Sequence, residues 1–385
     1  MKALALNAGS STLKAALYDV EPGSALAAPP APRWQGQVDW DPGQGSSVAG
    51  EMLRGFCEGA AAPLRSPTEV DVVGHRIVHG GTRFRSATRI TEDVKAAVGS
   101  LSPSAPLHNL AGLEGVAVAE RFVGDEIPQV GVFDTAFHAQ LPRDAYAYAG
   151  PHEWLESGLR RFGFHGINHQ YTAHRAAHVL GRPLDDLRLI TCHLGSGCSL
   201  AAIRDGRSVD TTMGFTPLEG LVMSSRSGSI DPGLLLHLLR EPGASVDSLD
   251  TLLNHASGLR GLSGRSGDLR DVLAARERGD ATAGLAFDVY IHRLRFHLGA
   301  MLGALGGLDA IVFTAGVGEH SAEVRAGALE PFAFLGVQLD RTRNARAGAD
   351  TDIAAESSQV RVLVTRAQEE WAIARAAVNV IAGGG

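Results

Sequence analysis

Cysteine is scarce in this chain. Three stand among 385 residues, at Cys57, Cys192 and Cys198, with no Cys-x-x-Cys pair. An odd number without metal-ligand spacing speaks against a disulfide framework and a thiolate zinc site. A reducing compartment, the cytoplasm, is the expected home. Long apolar runs are missing too, so no membrane span of ~18–20 residues is expected. The opening apolar stretch stops at Asn7, too soon for a secretory signal. An excess of basic residues is also lacking: 35 Lys and Arg against 42 Asp and Glu leave a net charge of −7. That balance argues against nucleic acid as a partner. The length suggests two or three domains, and a chain near this size buries roughly 75% of its unfolded surface, so its core needs no staples.

What the chain does have is one loop written twice. LALNAGSSTLKAALYD (4–19) returns as ITCHLGSGCSLAAIRD (190–205). Laid over each other without a gap, Gly9 meets Gly195, Ser10 meets Ser196, Ala15-Ala16 meets Ala201-Ala202, and Asp19 meets Asp205. Each copy reads as strand, Gly/Ser turn, strand. A repeat at this distance predicts two similar domains. Gly/Ser turns leave backbone N–H groups free to face an anion. Two such turns across a cleft would grip a polyphosphate, so nucleotide chemistry is the leading expectation.

Strands and helices alternate, which predicts an α/β class. Residues 2–6 and 13–18 read as a hairpin, and 21–47, rich in Pro, Ala, Gly and Ser, as a surface excursion. Segments 70–81, 130–138, 309–321 and 360–365 read as strands running into turns, with 309–321 going on through a glycine turn into a helix start. Asp205-Gly206 marks a tight hairpin turn. Helices are expected from Asp231-Pro232, over 282–304, and over 168–180 with Asn168 as cap and Gly181 as stop. The last strand and last helix are both expected to fold back onto the N-terminal domain.

Polar motifs sit where strands end, the place where ligands bind in such sheets. Arg76 in GHRIVHGG and Arg226 in MSSRSGSIDP lie among small residues that allow close approach to a carboxylate or phosphate; a surface or ion-paired role is the plainer alternative. His165 in FGFHG is a candidate donor to developing charge, or a satisfied core histidine. Asp134 is a candidate base or magnesium-shell ligand, or a cap for the following segment. Asn7 and Glu369 suit oxygen coordination. Lys14 could reach a phosphate or stand in solvent. TAGVGEH (314–320) follows a strand and opens a helix, a loose anion or adenosine signal. Val78, Leu107, Phe164 and Pro217 are candidate walls for a short alkyl tail, or plain core.

Eleven blocks in order resemble one family, the acetate kinases of the actin-like superfamily. They are NAGSSTLK, GHRIVHGG, APLHN, FDTAFH, FGFHG, HLGSG, TTMGFTPLEGL, RSGSIDP, LSGRSGDLRD, FTAGVGEHS and QEEWAIAR. The resemblance runs almost end to end. It implies duplicated actin-like, ribonuclease H-like α/β domains forming a two-lobed clamshell with a central cleft. The expected lobes are 1–147 with 369–385, on the acyl and phosphate side, and 148–368, for nucleotide binding and dimerisation.

The implied reaction is reversible transfer of phosphate from ATP to acetate, giving ADP and acetyl phosphate, with magnesium or, in its place, manganese. The resemblance puts metal association on Asn7 and Glu369, and catalysis on Asp134, His165, Arg226 and Arg76. Acyl binding falls on Arg76, Val78, Leu107, Phe164 and Pro217. Nucleotide binding falls on Lys14, on His193, Leu194, Gly195, Ser196 and Gly197, on Asp268, Leu269 and Arg270, and on Gly316, Val317, Gly318, Glu319 and His320. A homodimer is expected. The chain departs from the family pattern at Ser196 and His320, each in place of Asn, at Ser229 in place of an acid, and at Leu110 and Gly112. Arg76, Asp134, His165, Arg226 and Glu369 are intact, so an active enzyme is predicted. Two rivals are a propionate or other short-chain carboxylate kinase, and a non-catalytic, nucleotide-binding regulator.

Overall fold

A computed structural model describes residues 1–9, 12–40, 46–58, 62–101 and 106–383; the side chains of residues 46, 47 and 106–108 fall outside that description. Ser10 and Ser11 of the first loop are therefore outside it, as is the side chain of Leu107. The described residues form two compact units: Met1–Ala139, Phe164–Arg175 and Gln368–Gly385 in the first, Gln140–Gly163 and Ala176–Ala367 in the second. Residues 164–175 pack with the first unit, although the sequence reading put them in the second lobe.

The first unit holds a six-stranded sheet of β1 (Lys2–Ala8), β2 (Thr12–Asp19), β3 (Trp34–Asp39), β4 (Val72–Ile77), β5 (Thr88–Arg89) and β6 (Gln129–Phe133), in the order β3-β2-β1-β4-β6-β5. The second holds β7 (Arg188–Leu194), β8 (Cys198–Arg204), β9 (Arg207–Thr211), β10 (Ala310–Thr314), β11 (Thr351–Asp352) and β12 (Arg361–Val364), in the order β11-β12-β10-β7-β8-β9. Read from opposite ends, the two orders are the same. Each sheet has an antiparallel meander, then two parallel strands, then a short antiparallel edge. The expected duplication of an α/β domain is thus present strand for strand.

The ungapped overlay of the two loops needs one correction. Ala8 pairs with Leu13, leaving four residues in the first turn, whereas Leu194 pairs with Cys198, leaving three in the second. Beyond the turn the copies slip by one residue. Ala16, not Ala15, matches Ala201, and Asp19 matches Arg204 rather than Asp205. A one-residue slip reverses which face a side chain takes. Asp205 instead makes the predicted tight turn, with φ of 53° there and 69° at Gly206.

β1 lies inside its sheet with helices on both faces, so it reads as an unbroken apolar run. Leu4 and Leu6 face a core with Leu13, Leu17, Leu53, Phe56, Ala111 and Val118. Ala3 and Ala5 face the other, with Ala16, Val72, Trp371, Ile373 and Ala377. The small side chains let helix Glu369–Ala382 come close. A Cβ on Gly74 would sit 2.8 Å from Ile373 Cγ2. Burying Trp371 and Ile373 stabilises the helix there by about 1.5–3 kcal/mol each, and Trp371 Nε1 also donates to the Leu26 carbonyl at 2.9 Å. The helix is the seat of Glu369.

In the second unit, helix Ala281–Leu305 buries Phe287, Tyr290, Ile291, Leu294, Leu298, Met301 and Leu305 at helical spacing. Asp280 caps its start, and Gly306, at φ 65°, ends it. Helix Pro232–Leu238 starts as expected, with Asp231 accepting from the Gly233 amide.

Three expectations fail. The stretch 21–47 contains β3, an edge strand with alternate residues half-buried. Its Pro/Ala/Gly flanks obscured the alternation in WQGQVD. Asn168 is not a cap: the helix runs Gly166–Leu180 and carries Asn168 inside, fully buried. The last strand does not return to the first unit, because β12 pairs with β10; only the last helix does.

Candidate active site

The carboxyl ends of β1, β4 and β6 bring four predicted residues together. Arg76, in β4, donates Nε and Nη2 to Asp134 Oδ2 at 2.9 and 2.6 Å, and Nη1 to Asn7 Oδ1 at 3.2 Å. Asn7 Nδ2 donates to Glu369 Oε2 at 2.7 Å and to Glu370 Oε1 at 3.1 Å. Lys14 pairs directly with Asn7 across β1 and β2, which puts it on the same sheet face. Its side chain is exposed. Asp134 is not the cap of helix Ala136–His138; Thr135 holds that position, and the Asp134 carboxylate goes to Arg76.

Burial alone would lower the Arg76 pKa, but Asp134, with Glu369 and Glu370, reverses this and raises it, so the guanidinium stays charged. Burial pushes the Asp134 carboxyl upward, with Arg76 opposing and Glu369 reinforcing. Asp134 Oδ1 is buried and has no hydrogen bond of its own among the described residues.

His165 takes a left-handed backbone at φ 56° and is 9% exposed. Such a conformation costs of order 1–3 kcal/mol in a non-glycine residue and persists only where the surroundings enforce it. Here the next residue enforces it. The Gly166 amide donates to the Asp134 carbonyl at 2.9 Å, and a Cβ on Gly166 would sit 2.1 Å from that oxygen. Only glycine lets the chain pass this close to Asp134. Val78 and Phe164 are buried. Asn109 secures the neighbouring turn, accepting from the His79 amide at 2.9 Å and donating to the His79 carbonyl at 3.1 Å.

Arg226 and Pro217 belong to the second unit. Arg226 Nη1 donates to the Pro217 carbonyl at 2.8 Å. The arm bearing Arg226 is docked through its backbone: the carbonyls of Ser225, Met223 and Ser224 accept from the amides of Ser257, Leu259 and Arg260 at 2.9 Å each. The preceding loop is pinned by a cluster that sequence reading missed. Glu219 accepts from Tyr148 Oη at 2.6 Å and from Arg161 Nη2 at 2.7 Å, and Arg161 Nη1 donates to the carbonyls of Thr211, Thr212 and Met213 at 3.1–3.2 Å. A Cβ on Gly214 would strike Glu219 Oε2 at 1.7 Å.

A cavity of about 580 Å³ in the second unit gathers the other predicted segments. Gly195, Ser196, Asp268, Leu269, Arg270, Gly316, Val317 and His320 line it. Ser224, Leu259, Gly267, Leu273, Tyr290 and Ser321 complete it, and none of these was singled out from sequence. Leu273 was legible, one turn after Leu269 on the same helix face. The Ser196 carbonyl accepts from the Ser224 amide at 3.1 Å, joining this loop to the arm of Arg226. His193 and Leu194 are buried in β7, and the Gly197 carbonyl accepts from the Gly195 amide; they shape the loop without lining the cavity. Gly318 and Glu319 do not line it either. The expected glycine turn is replaced by a short helix, Ala315–His320, which follows β10 directly and whose first residue, Ala315, takes φ 64°.

Glu370 is a further omission. It adjoins Glu369 in the first turn of the same helix, and the paired acids were visible in QEEWAIAR. The side chains there that can ligate a cation, Asn7, Asp134, Glu369 and Glu370, offer oxygen, and Asp134 Oδ1 is buried without a hydrogen bond among the described residues. This set fits a hard cation such as magnesium. Among the described residues no group of three His, Cys, Asp or Glu could hold a metal alone. Magnesium takes one or two protein carboxylates and completes its shell with phosphates and water.

The profile of the acetokinase family matches residues 57–375. The acetate kinase of Gloeobacter violaceus is 54% identical, over 97% of this chain and 98% of that one. Among solved structures, the acetate kinase of Porphyromonas gingivalis superposes with a TM-score of 0.87 at 37% identity, covering 99% of both chains. A propionate kinase from Francisella tularensis gives 0.86 at 33% identity, covering 98% of this chain and 99% of that one. The chain belongs to the acetokinase family.

Proposed function

We infer that the chain is an acetate kinase, transferring the terminal phosphoryl group of ATP to acetate, reversibly, to give acetyl phosphate and ADP. The observation that carries this, beside the family, is the convergence of Arg76, Asp134, Asn7 and Glu369 at one sheet end. Acetate is a carboxylate and already a nucleophile. One of its oxygens forms the new P–O bond as the bond between the γ-phosphorus and the bridging oxygen breaks, and ADP leaves with that electron pair. No proton need move, so the work is positioning and charge neutralisation. Holding the reactants in line contributes about 7–11 kcal/mol.

Arg76 holds the carboxylate end of acetate and Val78 and Phe164 wall its methyl, to which the family resemblance adds Leu107 and Pro217. His165 and Arg226 stabilise the moving phosphoryl group, and Lys14 faces the phosphates. The second-unit cavity takes the adenosine, with Leu269 and Leu273 as its apolar wall. Asn7 and Glu369, with Asp134 near, would hold magnesium, which when bound would neutralise charge on the phosphate oxygens. Asn7 Oδ1 keeps a second lone pair beside the bond from Arg76.

Acetate is the preferred acid in this reading and propionate the second. One methylene separates them, worth only about 1–3 kcal/mol in a pocket. Turnover with acetate, propionate and butyrate in parallel tests this; a kcat/KM for propionate above that for acetate would reassign the substrate. The chain works as a homodimer in the cytoplasm. Support comes from its unpaired cysteines and from leucines exposed on second-unit helices, Leu234, Leu236 and Leu252. Light scattering on the purified chain reads the dimer. No helix among the described residues is long and apolar enough to cross a membrane.

A further inference from the structure

Glu319 stands in the short helix Ala315–His320 that borders the nucleotide cavity, yet its carboxylate is used elsewhere. Oε1 accepts from the backbone amide of Ala367 at 2.9 Å. Ala367 precedes Glu369 by two residues. Glu369 opens the last helix, whose cap position, Gln368, makes no side-chain capping bond. The Ala367 amide is therefore a fixed point of backbone just ahead of the carboxylate that Asn7 holds.

The base of this tether is unusually firm. Arg325 is 2% exposed and donates Nη1 to the carbonyls of Gly318 and Glu319, both at 2.9 Å. Its Nε and Nη2 go to Asn344 Oδ1 and Asn344 O, both at 2.8 Å, and Asn344 Nδ2 returns to the Ala322 carbonyl at 2.9 Å. Burial pulls the Arg325 pKa down to about 10. Its hydrogen bonds go to carbonyl oxygens, which use the planar fork as a bracket. The bracket clamps the backbone of 318–322, so the Glu319 side chain springs from a rigid helix end.

We propose that Glu319 is a positioning residue for Glu369: it leaves the nucleotide untouched and ties down the Ala367 amide, setting where the last helix starts. The proposal rests on the acetate kinase reading for its kinetic readout only. It needs an acceptor oxygen at the right reach, and it does not need the negative charge.

Glu319→Gln keeps the acceptor, Glu319→Asp withdraws it by one methylene, and Glu319→Ala removes it. The measurements are kcat and KM by hydroxamate trapping, the ADP dissociation constant by calorimetry, and hydrogen–deuterium exchange over residues 365–369. Misplacing a group by about 1 Å can cost on the order of a hundredfold in rate, so Glu319→Ala is expected to lose about 10–100-fold in kcat and Glu319→Asp about 5–10-fold. Glu319→Gln stays within about threefold, and all three bind ADP within about twofold of the parent. Exchange at 365–369 rises in Ala and Asp but not in Gln. A Glu319→Gln variant as slow as Glu319→Ala would overturn the acceptor role. A tenfold weaker ADP affinity with unchanged kcat would make Glu319 a nucleotide contact. Unchanged exchange in all three would remove the tether. If Glu319→Ala does not fold, the Asp and Gln variants decide. A parent chain with no turnover on any acid would sink the kinase reading alone, since the exchange experiment needs no turnover.

Discussion

Arg76 grips Asp134 with two nitrogens on a single oxygen, Oδ2, and leaves Oδ1 of a carboxylate only 1% exposed without a hydrogen bond among the described residues. The pair satisfies half of the carboxylate and keeps the other half ready. Breaking a buried ion pair costs more than the pair contributes, because one charge is left uncompensated.

Asp134→Asn tests this asymmetry. The amide is nearly isosteric but removes the nearest counter-charge of Arg76. Stability is expected to fall by about 3 kcal/mol, read as a lower urea midpoint at unchanged slope. Acyl phosphate formation is expected to fall by about 10²–10⁴-fold, a loss shared by kcat and kcat/KM. A variant as stable and active as the parent would show that the pair does neither job.

Gly258→Ala acts on Arg226 from a distance. Gly258 has φ +62°, and an added Cβ would sit 2.3 Å from the Met223 carbonyl oxygen and 2.7 Å from that of Arg226. Both are backbone atoms and cannot swing aside. The arm of Arg226 must shift, and kcat is expected to drop by about tenfold or more while the KM for acetate changes little. Steady-state kinetics on the folded variant check the split.

His75 makes stability depend on pH. It is 1% exposed and paired with Gln129 Oε1 at 2.6 Å, and burial lowers its pKa from 6.5 to about 4. Below pH 6.5 the unfolded chain takes up a proton that the folded chain refuses until about pH 4. Stability is therefore full above pH 6.5 and is lost as pH falls through that window, by on the order of 2–3 kcal/mol. His297 adds a slope of the same sign, its pKa also lowered to about 4 by burial. Urea titrations at pH 7.5 and pH 5 measure the loss. His75→Leu is expected to flatten part of it; an unchanged slope would clear His75.

Ala315→Gly should stabilise the fold. Ala315 holds φ 64° directly after β10, as the first residue of the short helix bearing Gly316 and Val317. A left-handed alanine costs roughly 1 kcal/mol that glycine does not. A rise of a few degrees in Tm is expected; a fall would mean that glycine's looser unfolded chain outweighs the relief.

Much of this was legible in the chain. Asn7 and Arg76 stand at the carboxyl ends of apolar strands and Asp134 directly follows one, and parallel neighbours bring such strand ends together. Glycine and aspartate punctuated the helices well, at Asp231, Asp280 and Gly306. What failed was information held in partners. Nothing in WQGQVD says which edge it joins. The repeat could not reveal its extra turn residue, because Ala15-Ala16 and Ala201-Ala202 look alike in either register. The Glu219 cluster and the Arg325 bracket were hidden for the same reason: Tyr148, Arg161 and Asn344 acquire roles only when distant segments meet.

The most direct test is acyl phosphate formation trapped by hydroxylamine, with ATP, magnesium and acetate, alongside an ADP titration of the same protein. The account predicts turnover with acetate exceeding that with propionate or butyrate, and its collapse in Asp134→Asn. Folded protein that binds ADP yet forms no acyl phosphate with any of the three acids would contradict it, and would leave a nucleotide-binding regulator as the reading.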